Sequence, residues 1–257
     1  MNNTSVEKIG CFNTILDPFN GITIDDILDI SSQEEFEENL DYLIENTKNR
    51  RKLIWIYIDI KCSNFIPIAT KKGFFFHSCD EDYILVVKRL FPNAIVPTAV
   101  NHTLGVGAVV IHDNKLLVVK ERVSNIGFKM PGGHIDNKEM ISTALVREVK
   151  EETGIDVQFD SIISLGHFYP HQFHKSNLYI LCIANAKSFE INIEDTNEIL
   201  EAKWVDIDEY LEDKEVLDYA KAIVIAALEH KGFTLANHET LTNIKKDFEL
   251  FFPKQNK

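Results

Sequence analysis

Met130 to Ile155 reads MPGGHIDNKEMISTALVREVKEETGI, and the rest of the chain is best read outward from it. Ile141, Leu145 and Val149 recur at intervals of four, which predicts a helix with one buried stripe. Gly154 stands where a left-handed residue ends such a helix. Opposite the stripe, Glu148, Glu151 and Glu152 are spaced to share one face. Like charges so close destabilise an isolated helix, but clustered carboxylates are the hard oxygen donors that hold Mg²⁺ or Mn²⁺. Pro131-Gly132-Gly133 precedes them, a loop whose backbone can approach a ligand closely. Glu151 and Glu152 by themselves read equally well as a solvated acidic face.

The wider spacing favours chemistry. Five residues separate Gly133 from Glu139, and seven more separate Glu139 from Arg147-Glu148. Val149, Lys150, Glu151-Glu152, Thr153, Gly154 and Ile155 follow. This pattern resembles the Nudix box, G-x5-E-x7-R-E-U-x-E-E-x-G-U with U aliphatic, at every fixed position. The resemblance implies hydrolysis of a nucleoside diphosphate linked to another group, with Mg²⁺ or Mn²⁺ as cofactor. It implies Glu148, Glu151 and Glu152 as metal ligands, joined by the Gly132 carbonyl. Arg147 stays protonated and cannot be a base; the resemblance gives it the task of pairing with a box glutamate and fixing its direction. Glu139 is expected to anchor the loop to the helix, or to be a plain helix-start acid favoured by the dipole. The general base is either Glu148, acting on water in the metal site, or Glu198, with Glu194, Asp195 and Glu201 as rivals.

Composition sets outer bounds. The 257 residues suit one large or two modest domains, and 45% hydrophobic content is ample for a core. A net charge of −13 disfavours nonspecific nucleic-acid binding and suits an enzyme that recruits divalent cations to meet phosphates. Cys11, Cys62, Cys79 and Cys182 lack zinc spacing and read as free thiols in a reducing cytoplasm. No signal peptide or membrane span is legible.

Three segments are expected: an α/β domain over 1–96, a hydrolase domain over 97–235 and a helical tail over 236–257. Residues 1 to about 30 carry little signal. A helix opens at Ser31-Ser32, with Glu34 and Glu35 placed for a capping box. Strands are read over Leu53–Ile60, Phe74–His77 and Tyr83–Val87, with a short helix over Ser63–Lys72 carrying Pro67 in its first turn. His77 reads as structural. The stretches IPIATKKGFFFH and AVNHTLGVGAVVI resemble the extended Nudix subgroup that includes ADP-ribose and NADH pyrophosphatases. That resemblance implies a partial acetyltransferase-like fold supporting the hydrolase or a homodimer, without acyl transfer. Beyond Pro92–Pro97, strands are read over His102–Ile111, Leu116–Lys120, Ser161–Tyr169, Leu178–Ala186 and Glu201–Val205, and helices over Val216–His230 and Leu241–Phe252. With the box helix they match the Nudix α/β/α sandwich with a mixed sheet.

For a nucleotide substrate, Phe128, Phe168, Tyr169 and Phe173 are candidates to clamp a base. His167, His171 and His174 near Lys175 could meet a phosphate or form an exposed polar loop. Phe128, Lys138 and Ser176-Asn177 stand where relatives tend to have tryptophan, glycine and Ser-Asp, so ADP-ribose or NADH with release of AMP is a preference. The alternatives are a nucleoside triphosphate or RNA 5′-end pyrophosphohydrolase and a catalytically silent nucleotide sensor.

Overall fold

The computed structural model describes residues 6–123, 127–236, 244 and 246–253. The chain divides into two compact units, Met1–Val100 and Asn101–Lys257.

In the first unit, six strands run in the order β1-β2-β3-β4-β6-β5: β1 (Val6–Ile9), β2 (Phe12–Leu16), β3 (Gly21–Ile24), β4 (Leu53–Asp59), β5 (Phe75–Cys79) and β6 (Tyr83–Arg89). The pairing is mixed, with β3 and β4 parallel and β4 and β6 antiparallel. Strand alternation sorts β4 between two faces. Ile54, Ile56 and Ile58 join a core with Phe36, Leu40 and Leu43 of α1 (Gln33–Thr47), while Leu53 and Trp55 pack with Leu85 and Val87. Ser32 caps α1 by accepting from the Glu35 amide at 3.1 Å, and the Glu35 carboxylate reaches back to accept from the Ser31 amide at 2.9 Å. Pro67 lies in the first turn of α2 (Ile66–Lys71). His77 donates from Nε2 to the Pro97 carbonyl at 2.8 Å and sits edge-on to Trp55. The quiet N-terminal stretch is in fact β1 to β3, short strands whose partners lie across turns or beyond α1.

In the second unit, seven strands follow the order β12-β8-β7-β11-β10-β13-β14 among the described residues, with β9 added on β7. These are β7 (His102–His112), β8 (Lys115–Glu121), β9 (Gly132–His134), β10 (Val157–Phe168), β11 (Ser176–Ala186), β12 (Ile199–Asp206), β13 (Phe233–Leu235) and β14 (Phe251–Pro253). Asp113 and Asn114 both take positive φ, 47° and 60°, as the tight hairpin between β7 and β8 demands. The sheet is mixed: β11 is parallel to β7 and antiparallel to β10.

Alternation along β7 again sets two layers. Val106, Ala108 and Val110 face the box helix α3 (Ile141–Thr153), where Ala144, Leu145 and Val149 are buried. Val109 and, from β8, Leu116 and Val118 face α5 (Asp218–Glu229), packing on Ala220, Ile223 and Val224. A sheet between helices is the α/β/α sandwich expected. The short helix α4 (Ile207–Glu212) begins where Asp206 caps it. The C-terminal helix expected over Leu241–Phe252 is corrected: Phe251 and Phe252 lie in β14, paired with β13, and 241–243 and 245 fall outside the described residues. No helix among the described residues is long and apolar enough to cross a membrane. All four cysteines are free.

Candidate functional site

Helix α3 and the loop before it bring the predicted acids together. Gly154 takes φ 74° just past the last helical residue and stops α3 there. Leu145 and Val149 fasten the opposite side to the sheet, each burial contributing about 1.5–3 kcal/mol. This fixes the rotation of the helix and turns Glu148, Glu151 and Glu152 towards β9. A cleft of about 210 Å³ is lined there by Gly133, His134, Asp136, Arg147, Glu148, Glu151, Glu152, Asp195 and Glu198.

Arg147 is the hub of that cleft. Its Nε and Nη2 donate to the two oxygens of Glu139 at 3.0 and 2.8 Å, a two-pronged bond that only a guanidinium makes. Its Nη1 donates to Glu148 at 2.9 Å and to Glu151 at 3.1 Å, and Nη2 also reaches the His134 carbonyl at 3.0 Å. Glu139 additionally accepts from the Asp136 amide. The guanidinium holds the Glu139 carboxyl below the usual carboxylate range. Glu139 thus ties the loop to the helix.

The three glutamates are not equivalent. Glu151 is half-exposed, with 45% of its side chain open to solvent. Glu148 is mostly covered, and burial pushes its carboxyl up against the opposing pull of Arg147. Glu152 does not share their solvated face. It is 3% exposed and accepts from the Gly132 amide at 2.7 Å, and burial raises its carboxyl to about 8. A side chain at Gly133 would place its Cβ 2.5 Å from the Glu148 carboxylate, so backbone and carboxylate lie against each other.

Hard oxygen donors around a small cleft, with buried carboxylates short of positive charge, fit a divalent cation such as Mg²⁺ or Mn²⁺. As the side chains stand, with Arg147 drawn between Glu148 and Glu151, no three acids among the described residues gather at ligand spacing. Of the expected bases, Glu198 and Asp195 line the cleft; Glu194 and Glu201 do not.

A second cavity, of about 780 Å³, adjoins this cleft. Ile163, Leu181, Ala220, Ile223 and Ala226 give it an apolar lining, and Phe168 and Tyr219 form an aromatic wall with rings 6.4 Å apart. Gly105 and Gly107 leave room for Tyr179 beneath; a Cβ at either would come within 2.5 and 3.0 Å of its ring. Three lining residues lead towards the acids. The buried Tyr179 hydroxyl is pushed up by burial and by the fields of Glu152 and Glu148. Lys129 pairs with Glu121 and lowers the Glu152 carboxyl against the effect of burial. The ring of His171 lies 6.5 Å from that of His134, which lines the acidic cleft.

Of the aromatic candidates only Phe168 lines this cavity. Phe128 instead carries Lys203 over its ring at 3.7 Å, and Tyr169 and Phe173 are 70% and 89% exposed. Among the histidines, His171 lines the cavity and His167 pairs with His102 through their Nε2 atoms at 3.0 Å. Tyr179, Tyr219 and Lys129 were missed by sequence reasoning. The Gly105-x-Gly107 spacing was the one local signal for a bulky neighbour.

The chain is similar to known proteins along most of its length. Residues 101–224 match the family model described as the NUDIX domain, and residues 12–90 match one described as the Nudix hydrolase domain. Nudix hydrolase 2 of Arabidopsis thaliana is 33% identical over 201 residues, covering 73% of this chain and 72% of that protein. Nudix hydrolase 7 of the same plant is 30% identical over 219 residues, covering 81% and 77%. Nucleoside diphosphate-linked moiety X motif 6 of Homo sapiens is 34% identical over 207 residues, covering 76% of this chain and 65% of that protein.

Proposed function

The chain belongs to the Nudix hydrolase family, and from that membership we propose that it hydrolyses the pyrophosphate bond of ADP-ribose, NADH or a closely related dinucleotide, releasing AMP, with Mg²⁺ or Mn²⁺ as cofactor. The observation that carries the reading is the adjacency of two unlike spaces. A carboxylate cleft suited to a cation and phosphates opens beside a larger apolar cavity walled by Phe168 and Tyr219. A diphosphate with an aromatic base on one side has that same division of character. The N-terminal unit, which resembles the extension of ADP-ribose and NADH pyrophosphatases, favours those substrates over nucleoside triphosphates.

Glu148, Glu151, Glu152 and the Gly132 carbonyl would hold the cation. Bound there, it neutralises and orients the phosphates and acidifies the attacking water. Arg147 positions Glu148 and Glu151 and, through Glu139, locks the loop that presents Gly132 and Gly133. Glu148 and Glu198 both face the cleft, and either can take the proton that the attacking water loses. The aromatic wall stacks the base and excludes water from one side of the substrate.

Hydrolysis in ¹⁸O-labelled water with Mg²⁺ or Mn²⁺ tests the reading. ADP-ribose should yield AMP and ribose 5-phosphate, with label on one phosphate only. Conversion of nucleoside triphosphates to monophosphate and pyrophosphate, with no turnover of ADP-ribose or NADH, overturns it in favour of a nucleotide-pool enzyme. Binding of nucleotides without any turnover points to a sensor.

A further inference from the structure

We propose that His171 is a substrate-binding residue whose Nε2 donates a hydrogen bond to the phosphate nearest the nucleoside. The inference rests on the reading above and assigns to one side chain the junction between the two spaces.

Three observations support it. The His171 ring lines the large cavity, yet its Nε2 is buried and makes no hydrogen bond. Leaving a buried polar group unpaired costs about 1–3 kcal/mol, so a ligand that supplies an acceptor recovers that energy. Position is the second observation. His171 sits on the side of the cavity towards His134, whose carbonyl holds Arg147 and whose side chain lines the acidic cleft. A nucleotide spanning both spaces passes this point with its first phosphate. The surrounding acids repel that phosphate, and Lys129 is already committed to Glu121. A donor without a partner is what the phosphate lacks there.

The third observation is the loop that carries the ring. The His171 amide donates to the Lys175 carbonyl at 2.8 Å, and the His174 amide donates back to the His171 carbonyl at 3.2 Å. Between them Phe173 and His174 take φ of 54° and 56°, the left-handed region that ordinary residues avoid. Strain of this kind persists where a surrounding structure fixes it, and it gathers at ligand-binding loops. Here it pins the backbone of His171 while Phe173 projects into solvent, 89% exposed.

The test uses the full chain and two small probes, AMP and adenosine, in equilibrium titrations without a divalent cation. His171→Phe keeps the ring shape and removes the donor; His171→Gln keeps an N–H near the Nε2 position. His171→Phe should weaken AMP about tenfold, the equivalent of one hydrogen bond to a charged group. Adenosine affinity should stay within about twofold, and His171→Gln should recover most of the loss. With a dinucleotide substrate, KM should rise in parallel while kcat stays within about threefold. Equal weakening of AMP and adenosine overturns the phosphate contact, as does no weakening of either. Failure of the wild-type chain to bind AMP overturns it as well. A wild-type chain that binds AMP through His171 but turns over no dinucleotide leaves this contact standing and sinks the proposed reaction instead.

Discussion

Glu152 is a carboxylate 3% exposed, bonded to one backbone amide, with its carboxyl raised to about 8. The sign of the consequence follows from linkage. Between the unfolded carboxyl value of about 4.3 and 8, the folded chain retains a proton that the unfolded chain has released. The contribution of Glu152 to the stability of the cation-free protein is therefore full below about pH 4.3, falls as pH rises above it, and is lost as pH passes through 8. A cation that binds Glu152 must displace that proton. Titration with Mg²⁺ or Mn²⁺ at pH 7, in buffers of different ionisation enthalpy, should show about one proton released, falling towards none near pH 9. Proton release and cation affinity that Glu152→Gln leaves unchanged remove Glu152 from the ligand set. Glu148→Gln and Glu152→Gln keep the side-chain shape and remove a negative donor, so each should lower the hydrolysis rate at least about a hundredfold. Wild-type rates in both variants refute the metal assignment. The spacing of the box acids showed which residues belong to the site. It did not show that Glu152 is buried while Glu151 is open, because that difference comes from the Gly132 amide on a separate strand.

Two glycines of the box separate fold from function at the level of the helix and its loop. Gly154 takes φ 74°, and a Cβ there would lie 2.2 Å from the Asn192 carbonyl oxygen. Backbone on both sides of that clash is fixed. Gly154→Ala should therefore cost more than about 1–2 kcal/mol of stability, the left-handed penalty alone, read as a shift in urea midpoint. At Gly133 the clash is with the tip of the Glu148 side chain, 2.5 Å away, which can swing aside. Gly133→Ala should leave the thermal midpoint within a few degrees and still lower activity by about tenfold or more, because the displaced group is a proposed ligand. A variant that loses both equally would mean that Glu148 holds the loop together as well. These elements were legible because helix periodicity and a terminal glycine are local signals. Strands β1 to β3 and β14 were not: each is three to five residues long and is defined by its partner across the sheet. The aromatic wall was half legible for the same reason. Phe168 lies in a recognisable strand, but Tyr219 meets it only through the packing of α5 on the sheet.

Each unit of the whole chain owns a closed hydrophobic core. Phe36, Leu40 and Leu43 pack on Ile54, Ile56 and Ile58 in residues 1–100, and residues 101–257 bury both faces of their own sheet under α3 and α5. The box acids and the large cavity all lie in the second unit. For the first unit we propose support of folding or of a homodimer. Units with separate cores unfold as separate cooperative steps unless their interface couples them. Calorimetry of the full chain should then show two transitions. A ligand that binds only the native form stabilises it by about 2.7 kcal/mol at a concentration of 100 times Kd, and Mg²⁺ or Mn²⁺ should confer this on one transition alone. Glu152→Gln should abolish that shift and leave the other transition where it was. It should also lower hydrolysis at least about a hundredfold. A single transition that moves as a whole with the cation would show instead that the two cores melt together, and would make the first unit part of the stability of the site.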